Sequence, residues 1–76
     1  MAYYAKGDYD KAIADYDKAI QSEPDVAQGY CGRGLAYSKR GDAEKAVADF
    51  KKVLELSDDP ALRQRAQQEQ GKLGVK

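Results

Sequence analysis

Cys31 is the only thiol in the chain, and none of the 76 residues is a histidine. A cysteine nucleophile needs a neighbouring base, usually histidine, so the common nucleophile–base pair has no second member. One cysteine also excludes an internal disulfide and a thiolate metal cluster. Cys31 therefore reads as a small apolar residue on a helix, with a reactive thiol as the minority alternative. The stretch GYCGRG at 29–34 has the glycine content of a phosphate loop. It lacks the G-x-G-x-x-G order, no strand precedes it, and no Gly-Lys-Ser/Thr follows. Asp8, Asp10, Asp15 and Asp17 could suggest calcium, but the loop glycine and closing glutamate of a calcium loop are missing, and helical periodicity runs through them. No serine stands in a nucleophile-elbow context. The expectation is a chain without catalytic residues, metal or cofactor.

The totals agree with that. Thirteen basic and thirteen acidic residues cancel, so no global charge draws the chain to nucleic acid or anionic lipid. The basic C-terminal segment, with Arg63, Arg65, Lys72 and Lys76 against Glu69, reads as a solvated helix end. No stretch reaches the roughly 20 apolar residues of a membrane span, and the N-terminus turns charged too early for a signal peptide. The default expectation is cytoplasmic. Seventy-six residues make one domain at most.

What the chain does contain is a repeat. GDYDKAIADYDKAI from Gly7 returns as GDAEKAVADFKKVL from Gly41, at an offset of 34. Gly7, Asp8, Lys11, Ala12, Ala14, Asp15 and Lys18 recur as Gly41, Asp42, Lys45, Ala46, Ala48, Asp49 and Lys52. Ala12, Ile13, Tyr16, Ala19 and Ile20 follow the spacing of a buried helical stripe, and Ala46, Val47, Phe50, Val53 and Leu54 repeat it. Asp15–Lys18 and Asp49–Lys52 read as solvent-side i, i+3 pairs. Between the copies, Pro24, Asp25 as cap and Gln28 as its capping-box partner predict a helix over about 26–39, with Ala27, Tyr30, Gly34 and Tyr37 on one face. Gly41 is placed to end that helix in the left-handed conformation and Asp42 to cap the next. Asp59 and Pro60 open a last helix with Leu62, Ala66 and Leu73 on one side and a glutamine-rich remainder.

With Tyr30-x2-Arg33-Gly34-x2-Tyr37, then Ala46-x3-Phe50, and with Ala12-x3-Tyr16 before Pro24, the chain resembles the tetratricopeptide repeat family over about residues 1–60. The resemblance implies an all-α fold: an antiparallel helix-hairpin, right-handed solenoid fragment of about one and a half repeats plus a C-terminal capping helix. Residues 1–24 would be a partial first repeat, mainly helix B. Residues 25–59 would be a complete A–B pair, and 60–76 the cap. Two departures carry structural expectations. Arg33 replaces the family's leucine, so its charge must reach water or an acidic partner. The second proline comes two residues late, which implies a longer helix B or a looser turn.

The same resemblance implies a protein–protein interaction module and no enzyme. The concave helix A face would present Gln28, Cys31, Gly32, Leu35, Ser38 and Lys39 to a partner peptide or helix of mostly apolar character. Lys39 is the only cation among them and asparagine is absent from the sequence, which disfavours a carboxylate-clamping site. Gly32 costs a helix interior about 1 kcal/mol against alanine. Either it admits a ligand close to the backbone, or it is neutral. Because Met1–Lys6 match only the end of a first helix A, the sequence also predicts an uncovered face near Tyr3, Tyr4, Tyr9, Ala12 and Tyr16. That face supports the alternative of self-assembly into a homodimer or larger oligomer, with domain swapping as one route.

Overall fold

Pro24, Gly41 and Pro60 cut the helical periodicity into four segments. The computed structural model describes residues 6–73, as α1 (Lys6–Ser22), α2 (Ala27–Arg40), α3 (Ala43–Leu56) and α4 (Pro60–Lys72). Tyr3 and Tyr4 lie outside the described residues. The chain is all-α here, each helix packing on the next in sequence. No helix among these residues is long and apolar enough to cross a membrane.

The core centres on α3. Ala46, Phe50 and Val53 are fully buried against Ala27, Tyr30 and Cys31 of α2 and Ala66 of α4, with Leu62 and Leu73 packed at its edge. The apolar stripe read in the sequence is thus a core stripe in α3. In α1 it is only partly so: Ile13 is buried, Tyr16 and Ile20 are half-buried, and Ala19 is exposed. The reason is coverage, since α3 is flanked by α2 and α4 whereas α1 packs on α2.

The turns follow their chemistry, with three corrections. Glu23 C=O accepts from Val26 N–H at 3.2 Å, so Pro24 and Asp25 occupy the centre of a β-turn that suits proline's fixed φ. Asp25 is therefore not the cap of α2. Val26 holds that position without a side-chain hydrogen bond, and the Asp25–Gln28 capping box does not form. Gly41 has φ 97°, and its N–H donates to Ser38 O at 3.1 Å while Asp42 N–H donates to Tyr37 O at 2.9 Å. These are the two bonds of a Schellman ending, which glycine adopts without a Cβ penalty. Asp42 stands before α3 as expected, but its carboxylate does not cap the helix. It accepts instead from Arg40, whose Nη1 also reaches Asp10 Oδ1 of α1 at 2.6 Å. The third correction concerns the late proline. Helix α3 ends at Leu56, the repeat equivalent of Ser22 at the end of α1, so the helix is no longer. Pro60 has moved from the turn into the first position of α4, where its missing N–H costs nothing. Asp59 caps that helix by accepting from Ala61 N–H at 3.0 Å.

Arg33 finds its acidic partners. Its Nε and Nη2 donate to the two oxygens of Asp49 at 2.8 and 2.7 Å, and Nη1 donates to Asp17 Oδ1 at 2.9 Å. A forked guanidinium matches a carboxylate in this way. Asp49 is 5% exposed, so it is not the solvent-side partner of Lys52 that the spacing suggested. Hydrogen bonding to Asp49 foremost, and to Asp17 as well, pushes the Arg33 guanidinium above its already high range, against burial. No buried side-chain nitrogen or oxygen among the described residues lacks a hydrogen-bond partner.

Candidate functional site

Residues of α1, α2 and α4 line a groove of about 230 Å³. Tyr9, Ala12 and Tyr16 come from α1, Gly32, Leu35, Ala36 and Lys39 from α2, and Arg65 from α4. The two faces that the sequence suggested as separate surfaces therefore meet in one groove. Tyr9, Ala12 and Tyr16 come from the expected self-association face, and Gly32, Leu35 and Lys39 from the expected concave face.

Three of the sequence-derived residues stand elsewhere. Cys31 is 6% exposed and belongs to the core cluster that also holds Phe50 and Val53 of α3 and Ala66 of α4. It is corrected from groove contact to core residue. Gln28 is exposed and Ser38 half-buried, and neither lines the groove.

Gly32 has a definite neighbour. A Cβ at this position would lie 2.3 Å from Tyr16 Cζ and 2.4 Å from Cε1. The glycine thus makes room for the chain's own tyrosine, and the idea that it leaves its backbone open to a foreign segment is corrected accordingly. Tyr16 forms the lip over that backbone. Leu35 and Ala36 supply the apolar surface, while the exposed cations Lys39 and Arg65 add positive charge.

Arg65 was not singled out in the sequence, although a signal existed. At the 34-residue offset it is the equivalent of Cys31, so carrying the repeat into α4 places it on the face assigned to Cys31. A cationic cluster around Tyr37 was also missed: Arg40, Lys45 and Arg33 lie 5.4, 5.6 and 5.8 Å from its ring centroid, within reach of the ring's negative face.

Burial pushes the Cys31 thiol up, with Arg65 pulling it down and Glu69 adding to the rise. A raised thiol pKa in the fold contributes stability below the unfolded thiol's range and loses it as pH climbs through the folded value. Cys31 is expected to react with an alkylating reagent at pH 8 about a hundredfold slower in the native chain than in urea. Equal rates in the two would contradict its placement in the core.

No group of three or more His, Cys, Asp or Glu side chains suited to a metal converges among the described residues. The groove's inventory is phenol, aliphatic surface, ammonium and guanidinium, which suits recognition of a peptide segment. A family model described as TPR repeat matches residues 1–41, and a second described as Tetratricopeptide repeat matches residues 27–60. No curated protein matches the chain.

Proposed function

The chain belongs to the tetratricopeptide repeat family, whose repeats mediate protein–protein interaction without catalysis, and from that premise we propose that it holds a segment of a partner protein in the α1–α2 groove. The observation that carries this reading is the meeting of Tyr9, Tyr16, Leu35, Lys39 and Arg65 around one concavity. The partner segment is an apolar helix or extended peptide with an acidic group facing Lys39 and Arg65. Two cations at the rim raise the encounter rate and fix register more than they hold the complex. The module works without cofactor, in the cytoplasm, as a fragment of a right-handed solenoid. Residues 1–24 serve as its partial first repeat, 25–59 as its full pair and 60–76 as its cap.

Self-association through Tyr9, Ala12 and Tyr16 would occupy this same groove. Partner binding and self-assembly therefore compete for one surface, and polar substitution of Tyr9 and Tyr16 affects both.

Peptides selected from a random library on the wild-type chain test the groove reading when measured again on Lys39→Glu/Arg65→Glu. Both side chains are exposed, so the fold should change by no more than about 0.5 kcal/mol each. Acidic, apolar peptides should bind the double variant at least about tenfold more weakly. Selected peptides that lack acidic residues, or that bind both proteins equally, would sink the reading.

A further inference from the structure

The internal repeat offers a template for a second surface, which shares only Ala12 with the groove. On α3, the face bearing Ala46, Asp49 and Val53 is buried. Helix α2 covers it: Arg33 grips Asp49 with two hydrogen bonds. Next to it, Gly34 sits where a Cβ would meet Phe50 at 3.0 Å and Asp49 Cβ at 3.3 Å. The 34-residue offset maps Ala46, Asp49 and Val53 onto Ala12, Asp15 and Ala19 of α1. Ala12 is half-buried, and Asp15 and Ala19 are exposed. The surroundings of the carboxylate are repeated as well. Lys45 and Lys52 flank Asp49 along α3, and Lys11 and Lys18 flank Asp15 along α1 at the same spacings. Yet Asp49 has an arginine partner, whereas Asp15 has no ion-pair partner among the described residues.

We propose that the Ala12–Asp15–Ala19 face of α1 is a docking site for a partner's amphipathic helix carrying α2's own pattern, an arginine followed directly by a glycine. The small side chains at 12 and 19, one turn to either side of Asp15, let a helix backbone approach closely. The arginine then reaches Asp15 as Arg33 reaches Asp49, and the glycine admits the α1 ridge. An apolar strand would leave that carboxylate without a donor at the centre of the contact, whereas an arginine-bearing helix satisfies it.

The probe is a capped peptide of this chain's residues 25–42, titrated into the isotope-labelled full chain. Saturable amide shifts should centre on Asp15 and Ala19, which lie outside the groove. Asp15→Asn in the protein, or Arg33→Gln in the peptide, should each weaken binding about tenfold or more, and the two together little further. Helical content by circular dichroism should be the same for Asp15→Asn and wild type, because Asp15 is exposed. Three results would overturn the proposal: no saturable shifts, shifts centred on Leu35, Lys39 and Arg65, or undiminished binding to Asp15→Asn. A full chain that self-associates, and is released by Asp15→Asn, would assign the face to a second copy and overturn it too.

Discussion

Replacing Arg33 by leucine, the residue usual at this family position, is expected to destabilise the fold by about 3–5 kcal/mol. A domain of 76 residues has about 4–11 kcal/mol of stability in all, so most of it would go. The cause is not the loss of an attractive pair as such. Asp49 is 5% exposed, packed beside Gly34 and Phe50, and both of its oxygens take their hydrogen bonds from Arg33. Without the guanidinium, a carboxylate stays buried with nothing to satisfy it, and that is the expensive state. Arg33→Leu/Asp49→Ala should therefore be markedly more stable than Arg33→Leu alone, since removing both charges leaves no orphan. Asp17→Asn should cost less than about 1 kcal/mol, because the Asp17 side chain is 49% exposed. Urea melts of the four proteins check the pattern. Arg33→Leu as stable as wild type would show that the Arg33–Asp49 pair contributes nothing to the α2–α3 contact.

The second large effect separates two glycines of α2. At Gly34 an added Cβ would meet Phe50 Cε1 and Cζ at 3.0 and 3.1 Å, and Phe50 is fully buried, with nowhere to move. Gly34→Ala should cost about 1–3 kcal/mol by overpacking, outweighing the roughly 1 kcal/mol that alanine gains over glycine in a helix. At Gly32 the clash is closer, 2.3 Å, but it falls on the outer end of the half-buried Tyr16 ring. That ring can swing into the groove. Gly32→Ala should leave stability within about 1 kcal/mol of wild type while reshaping the groove and weakening a selected peptide at least about tenfold. Gly71, with nothing within 4 Å, is the control, and alanine there should stabilise by up to about 1 kcal/mol. Equal effects at 32 and 34 would mean that Phe50 yields as readily as Tyr16.

The helices and most of their ends were legible because the signals are local. Apolar spacing, Gly41 and the Asp59–Pro60 start act within a few residues, and each set a boundary to within a residue or so. Asp25 misled because Pro24 fits two neighbouring roles, turn centre and helix opener. Only the 3.2 Å bond from Val26 to Glu23 distinguishes them. Asp49 misled because i, i+3 spacing to Lys52 is visible in sequence, whereas Arg33 reaches it across 16 residues. The groove was half legible. Gly32, Leu35 and Lys39 follow from the phase of α2, and Tyr9, Ala12 and Tyr16 from that of α1. Their meeting depends on how the two helices pack on each other, which no single-helix period encodes. Cys31 shows the same limit, since its burial belongs to a cluster drawn from α2, α3 and α4 and not to its own helix alone.

The most direct test of the groove as the partner site is an amide shift map of the full chain, titrated with a peptide selected on it. The largest shifts should fall on Tyr9, Ala12, Tyr16, Leu35, Lys39 and Arg65, and should saturate together at one peptide per chain. Shifts confined to the outer surface of α3, or spread over all four helices without saturation, would contradict a protein-binding role for this groove.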